Sequence, residues 1–237
     1  MNANNNGTIA VPEPDQTVDL DQFLNLQGDQ AAQSGGSSAR VEMPEADRVV
    51  MVGIFADDSG SMENLRQAVI DGLKMSVEAF KGAKGSDFYL DVRGFCGTYF
   101  SGMLKDVKDD SFDRYDPGFG STPLVSHAIS HIKGLTGKAK QYRSMGIPTT
   151  IALLIMTDGQ PNEDSCDPSD FKSCIESANY IVGMGFAESN NEGAVRKYRS
   201  LFKEMGIEKT VTPKSAPAEV RHAINQFSQS VASIASA

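Results

Sequence analysis

Short apolar runs alternate with amphipathic stretches along most of this chain. Residues 49–56 and 150–156 are apolar runs too short for helices, and the first is rich in β-branched side chains. Each is therefore predicted as a buried strand. Elsewhere, apolar side chains recur at i, i+3 and i+4, which places them on one face of a helix. The other predicted strands are 88–96, 98–104, 180–186 and 207–211, and the predicted helices are 65–80, 122–132, 195–205 and 220–234.

The alternation of strands and helices predicts the fold class. It indicates right-handed βαβ units in an α/β fold, with a doubly wound, mostly parallel six-stranded sheet and helices on both faces. In the strand order 3-2-1-4-5-6, strands 1 and 4 are neighbours where the winding reverses, and ligands bind beyond their carboxyl ends. Asp57 follows strand 1 and Asp158 follows strand 4. The topology therefore predicts that these two carboxylates lie together.

Three segments near this crevice offer oxygen ligands. Asp57, Ser59 and Ser61 alternate along one loop, so an extended backbone can direct all three to the same side. Thr122 lies in a loop before strand 4, and Asp158 follows that strand. Two carboxylates and three hydroxyls, without thiolate or imidazole, form a ligand set that hard cations prefer. The five residues predict a site for Mg²⁺ or Mn²⁺.

The same segments match a family signature of Asp-x-Ser-x-Ser, then a distant Thr, then a distant Asp. Over roughly residues 46–235, the chain resembles a von Willebrand factor A (VWA) domain with a complete metal-ion-dependent adhesion site (MIDAS). The resemblance implies a non-catalytic binding module or adaptor, in which an Asp or Glu of a partner protein completes the coordination of the metal. Asp58 occupies a variable position of the signature, and we expect it to be a solvated neighbour that raises the local negative potential.

A finer resemblance and an alternative function also arise from the sequence. Residues 212–215 and 226–230 are similar to stand-alone bacterial VWA proteins of the tellurite-resistance type. The alternative is a magnesium-dependent phosphoryl-transfer hydrolase, because aspartyl phosphatases also place a carboxylate after strand 1. Those enzymes need a general acid two residues later, where this chain has Ser59. No glycine-rich phosphate-binding motif is present, so we predict that the protein is not an enzyme.

Two histidines offer a weaker candidate for a metal site. His127 and His131 lie four residues apart on a predicted helix. A zinc pair is conceivable, but the His-Glu-x-x-His pattern is absent. We expect these histidines to be exposed or partly buried.

The first 46 residues differ in composition from the rest. They are rich in Asn, Gln, Gly, Ser, Asp and Glu, which predicts a disordered tail before a VWA domain at 47–237. Within residues 18–26, Leu20, Phe23 and Leu24 have helical spacing. This segment is either a chance cluster or a docking motif. In the second case, Asp19 or Asp21 could reach the metal as an internal ligand.

Net charge and cysteine content limit the classes of partner and the cellular compartment that we expect. A net charge of −9 argues against nucleic acid and anionic membranes as partners. The N-terminus has neither a basic nor an apolar region of a signal peptide. The three cysteines lack Cys-x-x-Cys spacing, which fits a reducing cytosol. The predicted location is cytoplasmic.

Overall fold

A computed structural model describes residues 42–159, 161–162, 164–188 and 191–236. The predicted docking motif at 18–26 and nearly all of the predicted tail lie outside these residues. The last residues of that tail contact the domain: the backbone N–H groups of Glu45 and Ala46 donate to the Asp87 carboxylate at 2.5 and 2.8 Å. Among the described helices, none is long and apolar enough to cross a membrane.

Six strands form one sheet in the order β3-β2-β1-β4-β5-β6. All neighbouring strands are parallel except β3, which is antiparallel to β2. The predicted doubly wound, mostly parallel sheet is confirmed. The strands are β1 Val49–Ala56, β2 Asp87–Gly94, β3 Gly97–Met103, β4 Thr149–Thr157, β5 Tyr180–Gly185 and β6 Lys209–Val211.

The helices cover both faces of this sheet. They are α1 Arg66–Lys81, α2 Leu124–Ser144, α3 Pro168–Lys172, α4 Glu192–Glu204 and α5 Pro217–Ser236, with short 3₁₀ helices at Gly60–Leu65, Leu104–Asp106 and Ile175–Ser177.

Two differences from the predicted elements have local causes. Helix α2 continues twelve residues beyond the predicted end at 132, because Leu135, Ala139 and Tyr142 extend its buried face at helical spacing. The short α3 had no apolar period to reveal it. Asp167 caps its start, because the Asp167 side chain accepts a hydrogen bond from the Ser169 N–H at 2.9 Å.

The sheet separates two apolar layers. Helices α1 and α5 contribute to the core on one face, while α2 and α4 contribute to the core on the other. All eight residues of β1 are buried, as expected for a central parallel strand covered on both sides. Gly72 lets α1 and α5 approach closely, because an added Cβ would lie 2.6 Å from Ile224 Cδ1. These layers hold the ends of β1 and β4 in a defined position.

Candidate metal centre

Asp57 and Asp158 lie at the carboxyl edge of the sheet, where the winding reverses. The register of β1 and β4 pairs Ala56 with Met156. The Asp57 N–H donates to the Met156 carbonyl at 3.0 Å. The two strands therefore deliver both loops to the same edge.

A continuous set of hydrogen bonds links four of the five predicted ligands. The Ser59 N–H donates to Asp57 Oδ1 at 2.8 Å. The Ser59 and Ser61 hydroxyls lie 3.1 Å apart, and Ser61 Oγ donates to Asp158 Oδ1 at 2.6 Å. The four residues therefore lie in one cluster, although Ser61 belongs to the 3₁₀ helix Gly60–Leu65 and not to an extended loop.

Thr122 reaches this cluster from the loop that precedes α2. Its Oγ1 lies 3.6 Å from the position that a Cβ on Gly159 would occupy. The Thr122 side chain is therefore adjacent to the residue that follows Asp158. Thr122 is buried, at 5% exposure. The positions of Thr122 and of the other four residues place all five predicted ligands at one edge of the sheet.

Three site residues were missed by sequence reasoning. Thr157 is buried, and its Oγ1 donates to Asp57 Oδ2 at 2.6 Å. Tyr115 donates its hydroxyl to the Asp57 carbonyl at 2.5 Å, and Tyr198 donates to the Asp158 carbonyl. A threonine directly before Asp158 at a strand end was a usable local signal. The tyrosines lie 58 and 40 residues from their partners, so no local pattern points to them.

Asp58 is not a solvated neighbour, and that expectation is wrong. Its side chain is fully buried. The carboxylate accepts hydrogen bonds from the Phe95 N–H at 2.8 Å and the Cys96 N–H at 3.1 Å, and from the Tyr99 hydroxyl. Adjacent side chains of an extended segment point to opposite sides. Asp58 therefore points away from Asp57 and binds the β2–β3 turn.

Burial governs the electrostatics of the two candidate carboxylates. It raises the pKa of Asp57, although hydrogen bonds from Ser59 and Thr157 oppose the shift. Burial also raises the pKa of Asp158, and the Ser61 hydroxyl opposes that change. In the described part of the chain, no Lys, Arg or His lies within 4.0 Å of either carboxylate. The described residues that donate hydrogen bonds to these two carboxylates are Ser59, Ser61 and Thr157, and all three are neutral.

This donor set fits a hard divalent cation. Residues 42–159, 161–162, 164–188 and 191–236 contain no group of three or more His, Cys, Asp and Glu side chains that could hold a metal. A cation at this edge would therefore use hydroxyls in addition to Asp57 and Asp158. Carboxylate and hydroxyl oxygens suit Mg²⁺ or Mn²⁺ better than softer metals.

The two helix histidines have separate environments. His127 Nδ1 lies 3.0 Å from the Pro123 carbonyl. His131 is 1% exposed, and its Nε2 lies 3.4 Å from Asp91 Oδ2. The expectation of an exposed or partly buried side chain is wrong for His131, because α2 packs its inner face over Asp91. Burial acts to raise the pKa of Asp91, but His131 and Arg93 outweigh it and hold that pKa below its usual value.

Comparisons with known proteins identify relatives of the fold. No protein-family model and no curated protein matches the sequence. Solved structures do match. They include the D319A mutant of the PilB minor pilin from Streptococcus sanguinis, with TM-score 0.56 and 11% identity over 78% of this chain and 61% of that chain. The pilus adhesin SpaC from Lactobacillus rhamnosus GG matches with TM-score 0.53 and 13% identity, over 81% of this chain and 31% of the adhesin.

A third similar structure is proximal thread matrix protein 1 (PTMP1) from the mussel byssus. It has TM-score 0.51 and 16% identity, over 79% of this chain and 47% of PTMP1. Another structure of PTMP1 is described as having a zinc-occupied MIDAS motif. This chain spans less than two thirds of each of the three chains, and identities this low show the fold alone. The strand order and these likenesses together show a doubly wound, Rossmann-like α/β fold.

Proposed function

We propose that this chain is a non-catalytic protein-binding module that works through a divalent cation. Asp57, Ser59, Ser61, Thr122 and Asp158 would hold Mg²⁺ or Mn²⁺, and an Asp or Glu of a partner protein would complete the coordination. The observation that carries the proposal is the pair of carboxylates at the ends of adjacent strands, of which Asp57 is buried and Asp158 is half-buried. Among the described residues, the hydrogen bonds that these carboxylates accept come from neutral donors.

The charge balance of the site supports binding of an outside carboxylate. Two carboxylates offset one divalent cation, and the hydroxyl ligands add no further charge. Magnesium takes six oxygen ligands and commonly keeps waters, which an anionic oxygen of a partner can replace. Gly60 and Ser61 are exposed, so the loop is accessible to another protein.

No observation favours the alternative of a phosphoryl-transfer hydrolase. Its general acid would lie two residues after Asp57, where Ser59 occupies the position. Ser59 is 4% exposed, and its hydroxyl lies within hydrogen-bond distance of the Ser61 hydroxyl. A serine hydroxyl is a poor proton donor at neutral pH compared with a carboxylic acid.

The finer parts of the proposal concern cellular role and place. We propose an adaptor role in the cytoplasm, without nucleic acid or membrane as a partner. All three cysteines are free, which is compatible with a reducing compartment. The similarity of residues 212–215 and 226–230 to tellurite-resistance-type proteins, and an internal contact between the tail and the metal, remain predictions.

The proposal is tested by capture of partners from a lysate of the source cells. The bait proteins are wild type, Asp57→Asn and the control Asp167→Asn. The control removes the same charge from an exposed side chain that only caps α3. We expect wild type and the control to retain a partner in Mg²⁺, and to release it with EDTA or with excess acetate as a competing carboxylate. Equal retention by Asp57→Asn, or retention in EDTA, would refute metal-bridged binding.

A further inference from the structure

The Thr122 loop is held by two residues that follow Asp158 in the loop leaving β4. We propose that Asn162 and Asp164 are positioning residues that place Thr122 in the metal site. This inference rests on the proposed function, because it assigns a role to residues that would not touch the metal.

Helix α2 lacks a cap of its own. Pro123 stands immediately before the helix and provides no side-chain hydrogen bond to it. The first N–H groups of a helix have no partner within the helix and need acceptors from elsewhere. Asp164 supplies them: its Oδ2 accepts from the Val125 N–H at 2.6 Å, and its Oδ1 accepts from the Ser126 N–H at 3.1 Å. The start of α2 is thereby attached to the β4 loop.

Asn162 binds Thr122 on both sides of its backbone. Its side-chain Oδ1 accepts from the Thr122 N–H at 2.6 Å. Its own N–H donates to the Thr122 carbonyl at 3.0 Å. Both backbone polar groups of Thr122 are therefore paired with one residue. This pairing restricts the backbone that carries the candidate metal ligand.

Helix capping alone does not account for Asn162. Thr122 lies two residues before the first residue of α2, and its N–H is not one of the unpaired groups of the helix. The pairing instead joins the segment with the hydroxyl ligand to the segment with Asp158. Partners that orient metal ligands in this way commonly change metal affinity by about 10- to 100-fold when they are removed.

A double-mutant cycle tests the assignment. The Mg²⁺ affinity is measured by isothermal titration calorimetry for wild type, Thr122→Ala, Asn162→Ala and the double variant. We expect each single variant to bind about 10- to 100-fold more weakly. We expect the double variant to bind no more weakly than Thr122→Ala, because Asn162 would act only through Thr122.

Capping variants separate positioning from helix stability. Asp164→Ala should also weaken Mg²⁺ binding. The matched control is Asp167→Ala, which removes the cap of α3 and should leave Mg²⁺ affinity unchanged while it lowers thermal stability. Asn162→Ala is the milder change and keeps the assignment testable if Asp164→Ala does not fold, as judged by circular dichroism.

The possible outcomes distinguish the two proposals. If wild type does not bind Mg²⁺, the proposed function fails and this inference fails with it. If wild type binds and Asp57→Asn does not, the metal site stands. The positioning role is then overturned by Asn162→Ala or Thr122→Ala binding like wild type, or by losses that multiply in the double variant.

Discussion

Replacement of Asp57 by asparagine separates the cost of the buried charge from the benefit of the metal. Asp57 accepts hydrogen bonds from the Ser59 N–H and from Thr157 Oγ1. In Asp57→Asn, Oδ1 can still accept from Ser59. The new amide can donate to Thr157 Oγ1, which turns its proton to the Gly159 carbonyl at 3.1 Å. The substitution therefore removes the negative charge without loss of a hydrogen bond.

The sign of the effect without metal follows from the pKa of Asp57. Burial raises this pKa in the folded protein. The unfolded chain therefore ionises Asp57 more easily, and the folded state loses stability as the pH rises through the raised pKa. At neutral pH in EDTA, Asp57→Asn lacks this cost. We expect its melting temperature in EDTA to equal or exceed that of wild type.

Magnesium should reverse the order of stability. A ligand at about 100 times its Kd stabilises the folded state by about 2.7 kcal/mol. For a domain of this size, 1 kcal/mol shifts the melting temperature by about 2–4 °C, so wild type should gain about 5–11 °C and Asp57→Asn should gain almost nothing. Differential scanning calorimetry in EDTA and in Mg²⁺ measures both effects. A lower melting temperature of the variant in EDTA, or an equal gain in Mg²⁺, would refute the reasoning.

Three further predictions concern the supports of the site and the core. Asp58→Ala leaves two N–H groups of the β2–β3 turn and the Tyr99 hydroxyl of β3 without their acceptor, and urea unfolding should show a loss of about 2–4 kcal/mol. A change below about 0.5 kcal/mol would be typical of a surface residue instead. Because the pKa of Asp91 is lowered from 3.8, its contribution to stability is present above that pH and lost as the pH falls below it. Asp91→Asn should therefore unfold with a weaker acid dependence than wild type, and an unchanged profile would contradict this role. Gly183→Ala places a Cβ 2.5 Å from the Phe202 ring and should cost about 1–3 kcal/mol in thermal unfolding. The control Gly137→Ala, on an exposed helix position with no atom within 4 Å, should be neutral or slightly stabilising.

The fold and the candidate ligands were accessible from the sequence to different degrees. Apolar runs and helical spacing predicted every strand of the sheet and the four long helices, because both patterns depend on neighbouring residues. The carboxylates at 57 and 158 could be assigned to one edge, since strand order determines which loops meet. Helix α2 was underestimated at its carboxyl end, where glycines and lysines dilute the apolar spacing of Leu135, Ala139 and Tyr142.

The surroundings of the candidate site depend on contacts between distant segments. Asp58 and its partner Phe95 lie 37 residues apart, and Asp164 caps a helix that begins 40 residues earlier. Nothing in the local pattern around Asp58 or Asp164 distinguishes a buried acceptor from a solvated carboxylate.

The sequence by itself therefore determined the order of strands and helices and the oxygen-bearing residues at the ends of β1 and β4. Those features follow from local periodicity and from the rule that parallel strands present their carboxyl ends at one edge. Only the tertiary structure decided which carboxylates face the crevice and which bind the backbone of other loops. Asp57 and Asp58 are adjacent in the sequence, yet they point to opposite sides of one extended segment. The Phe95 and Cys96 N–H groups of the β2–β3 turn donate to the Asp58 carboxylate, and Asp57 is left at the edge shared with Asp158.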